Sequence, residues 1–143
     1  MIAYIDASVL VRLVFAQPEA LAEWDRIERG LSSALLRVEC LRVVDQARIR
    51  FRLPDPEVAR RRAAMIELLD AIELVPLDSS VLDRAGEPFP TSLGTLDALH
   101  LATALAIRDE IPSVMLATHD ESLGLAAASL GFEVHGTLRD VDA

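Results

Sequence analysis

Four acidic residues of this 143-residue chain stand where a carboxylate could do chemistry. Asp6 follows directly on the apolar run Met1–Ile5, and Asp120 follows the apolar stretch Ser113–Ala117 in Thr118-His119-Asp120. Glu39 has Leu35, Leu36 and Val43 at its helical i−4, i−3 and i+4 positions, with only Arg42, at i+3, polar. An acid among apolar neighbours is costly unless paired or metal-bound. From Leu96 to Ile107 only Asp97, His100 and Thr103 are polar, a narrow stripe with a period of three on an otherwise apolar helix. Three or four carboxylates gathered together cannot all ionise without a compensating cation. Oxygen-only ligation selects a hard divalent ion, Mg²⁺ or Mn²⁺, and such ions polarise phosphates and activate water.

Each acid also has a structural reading. Asp6 could cap a helix starting at Ser8. Asp120 could lie in the first turn of its helix, with Thr118 and Glu121 forming a capping box. Glu39 could pair with Arg42, an interaction worth little if exposed.

The elements that must position these residues alternate between strand and helix. Strands are expected at Met1–Ile5, Leu31–Leu35, Glu73–Pro76, Ser113–Ala117 and Phe132–His135. Helices are expected at Ala7–Phe15, Glu19–Arg29 (Pro18 before it, Gly30 after it), Leu36–Arg50, Glu57–Ala71, a short one capped by Asp78 and closed by Gly86, Thr95–Arg108 and Glu121–Leu130. Glu87–Gly94, with two prolines, reads as a loop. Such alternation implies a parallel sheet covered on both faces, a single-domain three-layer α/β/α sandwich over residues 1–143. Ligands bind such sheets beyond the carboxyl ends of the strands, where Asp6 and Asp120 fall.

Composition narrows the chemistry further. All 14 bases are arginine, so the absence of lysine excludes a P-loop and a Schiff-base enzyme. No apolar run is long enough to span a membrane, and no signal peptide is expected. The single cysteine, Cys40, cannot form an internal disulfide; it reads as a small buried apolar residue and suits a reducing cytoplasm. The formal net charge is -9, yet half of the arginines lie between residues 42 and 62. Arg48, Arg50, Arg52, Arg60, Arg61 and Arg62 straddle a turn at Pro54–Pro56 and are either a local face for RNA phosphates or a solvated helix surface.

Asp6-Ala7-Ser8 after the first strand, Glu39 early in a long helix, Leu96-Asp97-Ala98-Leu99-His100-Leu101-Ala102-Thr103-Ala104, and Thr118-His119-Asp120 resemble a PIN domain. More narrowly, they resemble the VapC ribonuclease toxins of type II toxin–antitoxin pairs. The likeness covers nearly the whole chain, and the segment around Asp97 is its specific part. It implies an endoribonuclease toxin that inhibits translation, uses Mg²⁺ or Mn²⁺ and is neutralised by a cognate antitoxin. The family's metal-binding acids map onto Asp6, Glu39, Asp97 and Asp120, and Ser8 and Thr118 match its small hydroxyl positions near the metal. The products would carry 5′-phosphate and 3′-hydroxyl ends. High mean hydropathy and an apolar Val58–Leu74 helix suggest a homodimer. His100 and His119 read as supporting residues or bystanders, and His135 is assigned no role.

Two other classes compete. A Rossmann-like phosphohydrolase of the haloacid dehalogenase type needs Asp-x-Asp after the first strand, and its second position here is Ser8. A non-catalytic binding module would use the acids only as helix caps.

Overall fold

The computed structural model describes residues 1–137. Five parallel strands, β1 (Ile2–Ile5), β2 (Arg29–Ser33), β3 (Glu73–Val75), β4 (Met115–Ala117) and β5 (Val134–His135), form one sheet in the order β3-β2-β1-β4-β5. Among the described residues six α-helices cover it: α1 (Ala7–Val14), α2 (Leu35–Arg50), α3 (Asp55–Asp70), α4 (Ser79–Ala85), α5 (Thr95–Glu110) and α6 (Glu121–Ser129). The alternation of side chains along β1 separates two cores. Ala3 and Ile5 pack with Val9, Leu10, Leu36, Cys40, Val44, Met65 and Leu69 of α1, α2 and α3. Tyr4 faces the other way, with Leu101, Ala104, Leu123 and Ala126 of α5 and α6. The three-layer sandwich expected from the sequence is therefore present. Among the described residues, no helix is long and apolar enough to cross a membrane.

The chain runs outward from β1 through β2 to β3, then returns to the other side of β1 for β4 and β5. The order thus reverses between β1 and β4, and the crevice beyond their carboxyl ends is the ligand position for such a sheet. Asp6 N–H donates to the Ala117 carbonyl (3.0 Å), tying the two strand ends together there.

The helix expected at Glu19–Arg29 does not form. Only Trp24–Arg26 makes a single 3₁₀ turn, and Arg29 and Gly30 are the first residues of β2. Two forces override local propensity. Ala16 and Glu19 sit at φ 49° and 61°, breaking any helical run at its start. Ile2, Ala3 and Tyr4 pair with Arg29, Gly30 and Leu31, claiming the far end for the sheet. Within β2, Gly30 leaves room for Ile5, whose Cδ1 an added Cβ would approach to 2.8 Å.

The remaining boundaries follow ordinary capping chemistry. The Asp78 side chain accepts from Val81 N–H (2.9 Å) to start α4. Gly131, at φ 90°, ends α6 so that Phe132 N–H reaches the Ala127 carbonyl (3.1 Å).

Candidate active site

Asp6 occupies the N-cap position of α1, but its carboxylate makes no capping bond. Its Oδ2 instead accepts from the Ser8 hydroxyl (2.6 Å) and the Thr118 hydroxyl (2.8 Å). Both hydroxyls are oriented from behind: Ser8 Oγ accepts from His119 N–H (2.9 Å), and Thr118 Oγ1 accepts from Asp120 N–H (3.0 Å). Each hydroxyl has one proton, and the backbone donors leave that proton for Asp6. The buried Asp6 carboxylate keeps Oδ1 free of hydrogen bonds among the described residues.

The β4–α6 turn depends on a glycine. Gly136 has φ 106°, and an added Cβ would run into the Thr118 carbonyl oxygen. Gly136→Ala is expected to cost about 1–3 kcal/mol, lowering the thermal unfolding midpoint.

Asp120 is itself the cap of α6. Its Oδ1 accepts from Ser122 N–H (2.8 Å) and Leu123 N–H (3.1 Å), so the expected box of Thr118 and Glu121 gives way to a simpler cap. Thr118 is unavailable because it serves Asp6. Asp120 Oδ2 makes no hydrogen bond among the described residues.

Glu39 projects from the first half of α2 and is not paired with Arg42, which bonds Asp45 instead (3.0 Å). Its Oε1 meets Nε2 of His100, a fully buried ring on α5. Nδ1 of that ring meets the hydroxyl of Tyr4 in β1 (2.6 Å). Burial alone would lower the His100 pKa, but the hydrogen bond and charge of Glu39, with the charges of Asp6 and Asp97, outweigh it and hold it above its ordinary value.

Asp97 lies one turn before His100 on α5, half-buried and without a hydrogen-bond partner among the described residues. Its pKa is pushed up to about 6, first by burial and then by the negative charges of Asp120 and Asp6, with Glu39 adding to them and His100 opposing. Carboxylates from β1, α2, α5 and the β4–α6 turn, more than a hundred positions apart in sequence, thus share one electrostatic neighbourhood. Burial, and after it the charges of Glu39 and Asp6, raise the Cys40 thiol to about 12, which fits an inert buried residue. The donor set suits a hard cation: all four donors are carboxylates, and no arginine neutralises any of them among the described residues. As they stand, no three His, Cys, Asp or Glu side chains among the described residues converge closely enough to hold a metal ion.

Residues 3–128 match the PIN domain family. The chain belongs to it. Ribonuclease VapC46 of Mycobacterium tuberculosis is 36% identical, over 92% of this chain and 94% of the relative. Ribonuclease VapC47 of the same species is 33% identical, over 90% and 92%. Among solved structures, VapBC2 from Rickettsia felis, bound to a DNA fragment from its promoter, shares the fold, with a TM-score of 0.64 at 13% identity over 94% of this chain and 97% of that one.

In this PIN domain the arginine-rich stretch is divided by its own acids. Arg48 shares Asp45 with Arg42, while Arg60 and Arg61 share Glu57. Arg61 also donates to the Val14 carbonyl and lies over the Phe15 ring at 5.6 Å, pinning α3 to the end of α1. Arg50 rests against Phe51 (5.6 Å), and Arg52 and Arg62 are exposed. Arg50 lies eleven positions after Glu39, about 16 Å along α2, so the basic tip of the PIN domain is set back from the acids.

His119 contributes its backbone N–H to Ser8, and its Nδ1 bonds the Gly136 carbonyl (2.8 Å). His135 lies between Glu133 (2.8 Å) and Glu23 (3.3 Å), away from the four acids. Tyr4 is the residue that sequence reasoning passed over. The signal was present: it is the chain's one tyrosine, its position alternates with Ala3 and Ile5, and a buried hydroxyl needs a partner.

Proposed function

We propose that this PIN domain is a metal-dependent endoribonuclease and the toxin half of a toxin–antitoxin pair. The carrying observation is the buried Asp6 carboxylate at the joined ends of β1 and β4, with one oxygen held by Ser8 and Thr118 and the other free, whose charge helps to push the pKa of the Asp97 carboxyl up to about 6. In Asp6, Glu39 and Asp120, protein donors occupy one carboxylate oxygen and leave the other available. Asp6, Glu39 and Asp97 would hold Mg²⁺ or Mn²⁺, and Asp120 would complete the site or help hold a second ion. Such an ion, when bound, supplies water activation and neutralises charge on the non-bridging oxygens of a phosphodiester. Ser8 and Thr118 orient Asp6 from the protein side, and His100 does the same for Glu39. The relatives' names as ribonucleases support RNA as the substrate. The helix-cap reading accounts for Asp120 but not for Asp6, whose carboxylate caps nothing.

Cleavage of single-stranded RNA should require Mg²⁺ or Mn²⁺ and yield 5′-phosphate and 3′-hydroxyl ends. A 2′,3′-cyclic phosphate would show attack by the ribose hydroxyl and overturn the scheme. The exposed Arg48, Arg50, Arg52, Arg60 and Arg62 are assigned to the RNA backbone, whereas Arg61 is used in packing. Replacing Arg50, Arg52 and Arg62 with glutamine should weaken RNA binding and flatten its salt dependence by about three ionic contacts. An unchanged slope would return them to solvent.

A cognate antitoxin is the partner inferred from the VapBC complexes among the structural neighbours. Val38 and Leu96, 59% and 51% exposed, adjoin Glu39 and Asp97 and give a partner chain crossing the site apolar surface to cover. Without antitoxin the chain is expected to form a homodimer, eluting on gel filtration at twice the 15.6 kDa of one copy.

A further inference from the structure

Three side chains from three elements form a continuous chain of hydrogen bonds into the site. Ser33 N–H at the end of β2 donates to the Tyr4 hydroxyl oxygen (3.3 Å), and that hydroxyl lies 2.6 Å from His100 Nδ1. Nε2 of the same ring faces Glu39 Oε1. The Tyr4 and His100 rings also meet edge to face, with centroids 5.9 Å apart and planes at 75°. Tyr4 and His100 are both fully buried, so the ring has no freedom to turn outward.

The acid fixes which nitrogen carries a proton. A carboxylate oxygen accepts, so the nitrogen facing Glu39 Oε1, Nε2, is the donor. In a neutral ring Nδ1 then accepts from the Tyr4 hydroxyl. A charged ring carries one there as well, so in either form the group presented to Glu39 is an N–H donor. Both ring nitrogens are thereby committed to protein partners, which removes His100 as a cation ligand despite its place three residues after Asp97.

From this geometry we infer that Tyr4 and His100 are positioning residues for Glu39: they hold its Oε1 and leave Oε2 without a protein donor among the described residues. The inference rests on the metal-site reading above. Its physical content is that a ligand held by an outer hydrogen bond binds its ion more tightly, because the carboxylate no longer has to be ordered when the ion arrives. Strand β1 would then place two ligands at once, Asp6 directly at its end and Glu39 through Tyr4 and the ring.

The test is a Mn²⁺ titration by calorimetry on metal-stripped wild type, Tyr4→Phe, His100→Leu and His100→Gln, with thermal unfolding of each protein in chelator. His100→Leu should weaken Mn²⁺ binding about 10- to 100-fold, and His100→Gln, whose amide can still donate to Glu39, should recover most of that loss. Tyr4→Phe removes a single oxygen and should weaken binding several-fold; it carries the test if His100→Leu does not fold. RNA cleavage at saturating Mn²⁺ should fall less than cleavage at limiting Mn²⁺. Equal Mn²⁺ affinity in wild type, Tyr4→Phe and whichever His100 variants fold would overturn the positioning role while leaving the metal site standing. Equal weakening in His100→Gln and His100→Leu would also overturn it. Absence of Mn²⁺ binding in wild type would remove the site itself, and the positioning role with it.

Discussion

Asp6→Asn is expected to lower RNA cleavage by a factor on the order of 10²–10³ while leaving the protein folded. The substitution keeps the shape of the side chain. Its remaining carbonyl oxygen can still accept from Ser8 or Thr118, which lie 2.6 and 2.8 Å from the present carboxylate. What is lost is the negative charge at the junction of β1 and β4, together with the oxygen left open toward the crevice. Cleavage of a single-stranded RNA, measured beside the thermal unfolding midpoint, separates the two effects. A variant as active as wild type would place the chemistry elsewhere. A variant that unfolds would show that Asp6 serves the fold first.

The second large effect has opposite signs for activity and stability. Asp97→Asn should abolish metal-dependent cleavage and yet make the metal-free protein more heat-stable at pH 8. The Asp97 carboxyl has its pKa pushed up to about 6, from an ordinary value of 3.8, first by burial and then by Asp120 and Asp6. A raised folded-state pKa favours the fold when the group is protonated. That contribution is complete below pH 3.8 and is lost as pH rises through about 6. His100 and His135 are also shifted upward, so their contributions are lost in the same direction at somewhat higher pH. Asp45 and Glu73 are shifted downward by their arginine partners, and their influence fades only in acid, outside this window. The unfolding midpoint of metal-stripped wild type should therefore fall between pH 5 and pH 8. Asn at position 97 should flatten part of that fall, and added Mg²⁺ should restore the midpoint of wild type but not of the variant. A wild-type midpoint independent of pH and Mg²⁺ would contradict the crowding of the acids.

The architecture was legible in the sequence because strand and helix alternate with little ambiguity, and because Asp78, Gly86 and Gly131 mark helix ends in the ordinary way. The stretch from Glu19 to Arg29 was not. Its apolar residues Leu21, Trp24 and Ile27 recur every three positions, which fits a helix face as well as a loop pressed onto the core. Only the pairing of Arg29 and Gly30 with β1, a contact distant in sequence, decides between them. The acids were legible as misplaced charges in apolar surroundings, but not their attachments. That Arg42 prefers Asp45 to Glu39 depends on how α2 faces its neighbours, and that Thr118 turns from helix capping to Asp6 depends on β4 lying beside β1. Tyr4 was hidden by its suitability for a strand, where an aromatic residue needs no special reason.

The most direct test of the site is calorimetric titration of Mn²⁺ into metal-stripped protein at pH 7.5, wild type against Asp97→Asn. Saturable binding in wild type that is lost or severely weakened in the variant is expected. No saturable binding in wild type, or equal affinity in the two proteins, would contradict a cation held jointly by these acids.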